Sequence, residues 1–166
     1  IAFGIMWANH DWQDIHPKKR NCNAPVLYPG KITPETWKSM TDFLISTYFS
    51  HPSYWKIAGK PWFSIYDLSK LMESFGSLAA TRDALDDFRS RARAAGLPGL
   101  HINAVVWGRA ILPAEKEPAD PVSLVRDLGF DSVTSYVWIH HAAVTGFPET
   151  PYKLIPDRYF EYAEKA

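Results

Sequence analysis

The chain opens on an apolar run, Ile1 to Trp7, that contains no polar side chain and breaks at once into Asn9, His10, Asp11 and Trp12. A short continuous run of this kind suits a strand covered on both faces, as in a parallel sheet flanked by helices. The next pattern has a helical period. Trp37, Met40, Leu44 and Tyr48 share one face, preceded by Thr33 as N-cap, Pro34 at the first helical position and Glu35 in the first turn. This helix should end before His51-Pro52. Ala58-Gly59-Lys60-Pro61 then reads as a turn into the strand Trp62–Tyr66, and Asp67 and Ser69 open a short helix to about Phe75.

The cycle repeats twice. Leu78, Leu85, Phe88 and Ala92 mark a longer helix over about Leu78–Ala95, stopped by Gly96. Leu100–Trp107 is the next strand. Asp120 reads as the cap of a short helix with Pro121 at its first position and Gly129 after its end. Asp131–Tyr136 forms a fourth strand, and Pro156-Asp157 starts a last helix. Residues 14–31 read as one long loop. Its Lys18-Lys19-Arg20 cluster suits a solvated face, and Cys22 an incidental position.

Strands near 2–8, 61–66, 100–106 and 131–136, alternating with helices, imply a parallel sheet with helical crossovers. Four such units form either a small open sheet or half of an eight-unit barrel. The chain starts inside a strand pattern and stops inside a helical one. The expectation is therefore an α/β chain that is part of a (β/α)8 TIM-type barrel, an internal piece whose remaining strands belong to the parent chain.

Composition narrows the function classes. At 166 residues there is one domain's worth of chain, with zero formal net charge and thus no electrostatic footprint for nucleic acid or an anionic membrane surface. Cys22 is the single cysteine, which excludes a disulfide framework or a cysteine-built zinc site within the chain. No apolar run approaches the roughly 18 residues of a membrane span.

If the sheet is parallel, every strand ends on one side, and that rim is where ligands bind in such folds. The first strand brings Trp7, Asn9, His10, Asp11 and Trp12. The second brings Tyr66 and Asp67. The third carries His101 and Asn103 within it and Trp107 at its end. The fourth brings Ser135, Tyr136 and Trp138, then His140 and His141. Flat aromatic faces beside hydroxyl, amide and imidazole groups suit a sugar, which has apolar C–H faces and a polar edge. Each residue also has a plainer reading: Trp107 and Tyr66 as core closure, Asp67 as a helix cap. No G-x-S-x-G elbow supports a serine triad, no HExxH-like spacing supports a metal site on His10, Asp11, His140 and His141, and no glycine loop for phosphate is present. No motif asks for a cofactor. Glycoside hydrolysis needs two carboxyl groups. The candidates are Asp11, Asp67, Asp14 and Glu149, with no glutamate at a strand end.

MWANHDW after an apolar strand, HPSYWKIAGKPWFSIYD, LPGLHINAVVWG and GFDSVTSYVWIHH closely resemble the glycoside hydrolase family 99-like, or WbsX-like, domain. The likeness covers nearly the whole chain in order. It implies a (β/α)8 barrel acting on polysaccharide, with endo-acting mannosidases among its relatives, and Ile1 near the fourth barrel strand. It implies substrate-binding roles for Trp7, Asn9, His10, Asp11, Tyr66 and Tyr136. Members also carry an Asn-Glu-Trp-x-Glu-type segment on the last strand, whose glutamates are the catalytic candidates. That segment would lie beyond Ala166, so no catalytic residue is assigned. His10 and Asp11 stand where many members carry Glu-Asn. Three readings follow: part of a glycoside hydrolase, a non-catalytic carbohydrate-binding barrel, and a His/Asp metal-dependent hydrolase.

Overall fold

A computed structural model describes residues 1–14, 25–106, 121–141 and 149–164. The elements in order are β1 (Ile5–Trp7), β2 (Trp12–Gln13), β3 (Val26–Tyr28), α1 (Pro34–Thr47), β4 (Lys56–Ile57), β5 (Lys60–Ile65), α2 (Leu68–Phe75), α3 (Leu78–Ala94), β6 (His101–Val106), α4 (Pro121–Leu128) and β7 (Ser132–Ser135). A turn of 3-10 helix (Trp138–His141) and α5 (Leu154–Ala163) complete them. Local chemistry starts the helices where the sequence says. Thr33 accepts from the Thr36 N–H at 3.2 Å, Asp67 from Lys70 N–H at 2.9 Å, and Ser77 from Ala80 N–H at 3.1 Å.

The expected four parallel strands are present, in the order β1-β5-β6-β7. Ile5 pairs with Phe63, Phe63 with Ile102, and Ala104 with Val133. The sheet is open among the described residues, with β1 and β7 at its edges. Register fixes which side chain faces which way. Ile5 and Trp7, Phe63 and Ile65, and Ile102, Ala104 and Val106 face the helices. There they join Trp37 and Leu44 of α1, Leu71 of α2, Leu85 and Phe88 of α3 and Leu128 of α4 in one apolar core. Phe88 is its hub, edge-on to Trp37 at 5.5 Å and to Phe63 at 5.6 Å between ring centres. The alternate residues, among them Met6, Ser64, Tyr66, Asn103 and Tyr136, line a hollow of about 550 Å³ on the opposite side of the sheet.

Several expectations need correction. Residues 14–31 are not all loop: β3 pairs antiparallel with β2, Trp12 opposite Tyr28, with a bulge between Trp12 and Gln13. The strand around Trp62 starts earlier, at Lys60. Lys56–Ile57 folds back on it antiparallel through Ala58 and Gly59, which both take positive φ, 48° and 79°. Leu78 is exposed, and Thr81 holds its place on the buried face of α3. The last helix begins at Leu154 rather than Pro156. Asp120, Trp107, Cys22 and the Lys18-Lys19-Arg20 cluster lie outside the described residues. Among the described residues no helix is long and apolar enough to cross a membrane.

One buried charge ties the layers together. Arg89 of α3, 9% exposed, donates to the Gly129 carbonyl at 2.6 Å and to Asp131 Oδ2 at 2.9 Å. The same Asp131 oxygen accepts the Ile102 N–H at 2.9 Å, and the Asp131 N–H donates to the Ile102 carbonyl. Helix α3, the end of α4, and the starts of β6 and β7 thus meet at one carboxylate.

Candidate functional site at the strand ends

The rim is built first from Asn9. After β1 the ladder continues with the Tyr66 N–H on the Trp7 carbonyl at 3.1 Å. Beyond that the Asn9 side chain stands in for a strand. Its Oδ1 accepts the Asp67 N–H at 2.7 Å and its Nδ2 donates to the Asp67 carbonyl at 2.6 Å. Asn9 is 1% exposed. It holds the ends of β1 and β5 together and leaves its neighbours to face outward.

Asp11 fastens the returning chain. Its Oδ1 accepts the Gly30 N–H at 2.8 Å, and its Oδ2 lies 3.1 Å from Lys70 Nζ of α2. Gly30 sits so close that a Cβ there would come 2.3 Å from the Asn9 carbonyl oxygen, a place only glycine fits. The Gly30 N–H and the Lys70 ammonium hold the Asp11 carboxyl below the usual carboxylate range. A group with a lowered folded pKa contributes stability above its unfolded value, near 3.9 for Asp, which is lost as pH falls through the folded value. Urea midpoints of wild type and Asp11→Asn should therefore differ at neutral pH and converge on acidification. A constant difference from neutrality to strong acid would contradict the tie.

His10 occupies the centre of the rim. Its ring lies nearly parallel to Trp12 (18°, 5.5 Å between centres) and against Tyr66 (5.2 Å). Tyr66 meets Tyr136 edge-on at 5.3 Å. The Nδ1 of His10 is buried and has no hydrogen-bond partner among the described residues. Burial first, then the hydrogen bond with Tyr136 and the charge of Asp67, push the Tyr66 phenol well above its ordinary value, so it stays protonated. A row of rings, Trp12, His10, Tyr66 and Tyr136, therefore crosses from the end of β1 over β5 to the end of β7.

Other sequence candidates lie elsewhere. Trp7 pairs in register with Ile65 and turns to the helices, 5.5 Å from Trp37, so it belongs to the core rather than to the rim. His101 begins β6, at the end of the strand away from the rim. Its Nε2 donates to Ser132 Oγ at 2.8 Å, whose proton goes to Asn103 Oδ1 at 2.8 Å, and Asn103 Nδ2 reaches Ser64 Oγ at 2.9 Å. His101 and Asn103 are thus partnered within the sheet. Trp138 stacks on Tyr159 of α5 at 5.1 Å and 7°. Trp107 and the side chain of His140 lie outside the described residues. Asp67 caps α2, as its plainer reading held. No group of three or more metal-ligating side chains occurs among the described residues. Sequence reasoning missed Gly30 and Lys70, whose partners lie far along the chain. The Tyr-Pro-Gly turn after Leu27 was the one available signal.

The sequence matches a known family. The family profile described as Glycosyltransferase WbsX matches residues 1–146. No curated protein and no solved structure matches the chain.

Proposed function

Because the chain belongs to the WbsX family and is a carbohydrate-active protein, we propose that it binds an oligosaccharide or polysaccharide across the strand ends carrying His10, Trp12, Tyr66 and Tyr136. One observation carries the reading: the row of rings Trp12, His10, Tyr66 and Tyr136, at the side of a parallel sheet where ligands bind. A sugar would lay its C–H faces on the exposed Tyr136 and Trp12 rings, with its hydroxyl edge toward the His10 imidazole. In the parent protein, Tyr66→Ala and Tyr136→Ala should each weaken oligosaccharide binding about five- to tenfold, the worth of one aromatic contact. Phe43→Ala, on the exposed side of α1, should not. Unchanged calorimetric affinity in both tyrosine variants would reject the site.

The reading extends to hydrolysis by the parent protein, with this segment as the binding half of a barrel. The edges of β1 and β7, unpaired with further parallel strands among the described residues, and the open hollow of the inner face support further strands closing over them. Hydrolysis needs one carboxyl held protonated and a second about 5–9 Å away. Asp11 is held ionised by Gly30 and Lys70, and Asp67 Oδ1 is taken by the Lys70 N–H. Asp11 and Asp67 are thus engaged in structural contacts, and the family resemblance places the acid/base pair on other strands of the parent. Residues 1–166 alone should release no reducing ends from mannan, while the parent should. Turnover by the segment would return the pair to it, with Asp11 as first suspect.

The profile's description favours a second reading, transfer of a glycosyl group to an acceptor glycan. Product length decides: shortened chains support hydrolysis, chains lengthened in the presence of an activated sugar donor support transfer.

A further inference from the structure

We propose that the β2–β3 ribbon adds a second sugar subsite to the rim, where Tyr28 beside Trp12 holds the next pyranose ring of the same glycan beyond the His10–Tyr66–Tyr136 rings. The inference rests on the carbohydrate reading above and adds to it a preference for long chains.

The ribbon has an unusual surface. Short exposed ribbons ordinarily carry polar residues, yet β3 is Val26, Leu27 and Tyr28, all exposed, and Tyr28 is 71% exposed. Trp12 across from it is 56% exposed. Concentrated exposed apolar surface of this kind marks a contact site. The ribbon is also held in place. Asp14 N–H donates to the Pro25 carbonyl at 3.0 Å, and Gly30, two residues past Tyr28, is fastened to Asp11.

Register aims the platform. Trp12 and Tyr28 are direct cross-strand partners, so their side chains stand on the same face of the ribbon, with Cβ atoms roughly 5 Å apart. The Trp12 ring is already stacked on His10. Tyr28 therefore extends the ring row outward from the rim, away from Tyr66. A glycan seated at the rim has its next units over this pair. Two flat rings without a charge suit the C–H face of a sugar.

The test uses the parent protein and length ladders of manno-, cello- and laminari-oligosaccharides, from disaccharide to octasaccharide, titrated by calorimetry. Wild type should gain affinity with length. Tyr28→Ala should lose about five- to tenfold on the longest member bound and far less on the shortest. Tyr28→Phe, which keeps the ring, should restore the gain. Equal length dependence in wild type and Tyr28→Ala would overturn the platform while leaving the rim site standing. Binding of none of the three series would overturn the rim reading and the platform with it.

Discussion

Asn9→Ala should cost the protein about 1–3 kcal/mol and misplace the rim as well. Asn9 makes two hydrogen bonds to one partner, the backbone N–H and C=O of Asp67, at 2.7 and 2.6 Å. Alanine removes the side-chain oxygen and nitrogen together and leaves the Asp67 N–H without its 2.7 Å acceptor, while the Asp67 carbonyl keeps the Leu71 N–H at 3.1 Å. An unsatisfied buried group costs about 1–3 kcal/mol, more than the net worth of the bond it lost. Asp67 also caps α2, and Tyr66 next to it carries the His10 contact. The loss should therefore show in urea melts as a lower midpoint with an unchanged slope, and in glycan titration as weaker binding. A stability change under about 0.5 kcal/mol would mean that Asn9 does not hold the strand ends.

Arg89→Met should be comparably damaging, about 3 kcal/mol, because it breaks a largely buried pair and strands its partner. Three acceptor contacts converge on the lost guanidinium: the Gly129 carbonyl, Asp131 and, more weakly at 3.5 Å, Asp86. Burial raises the Asp131 carboxyl, but the Ile102 N–H and the Arg89 guanidinium outweigh it and hold it below the ordinary value. Its contribution is present above the unfolded carboxylate pKa and vanishes as pH falls through the folded one. Without Arg89 that folded pKa rises, so acid unfolding of Arg89→Met should begin at a higher pH than in wild type. A double cycle with Asp131→Asn should return a coupling of about 0.5–3 kcal/mol. Additive single effects would show that the two side chains act independently.

The fold was legible where signals are local. Thr33 and Asp67 announce their helices by themselves, and the strand–helix alternation needs only runs of side chains. The β2–β3 ribbon was not legible, because a bulged pairing of two- and three-residue strands has no periodicity to read. Nor was the facing of Trp7. A wholly apolar run carries no alternation, and its side is set by register against Ile65, a fact about the partner strand. The meeting of Tyr66 with Tyr136 follows from parallel strands ending together, so that part of the site could be read in advance. Asn9, Asp11 and His101 looked like ligand groups by type. The structure gives Asn9 a backbone, Asp11 a glycine and a lysine, and His101 a serine, partners far away in sequence. His10 Nδ1 has no such partner among the described residues.

A crystal structure of the protein with a bound oligosaccharide tests the central claim most directly. A sugar ring should lie over the Tyr66–Tyr136 pair, with its hydroxyl edge facing the His10 imidazole. A glycan seated on the helix-covered side of the sheet, or beside His101 at the opposite strand ends, would contradict it.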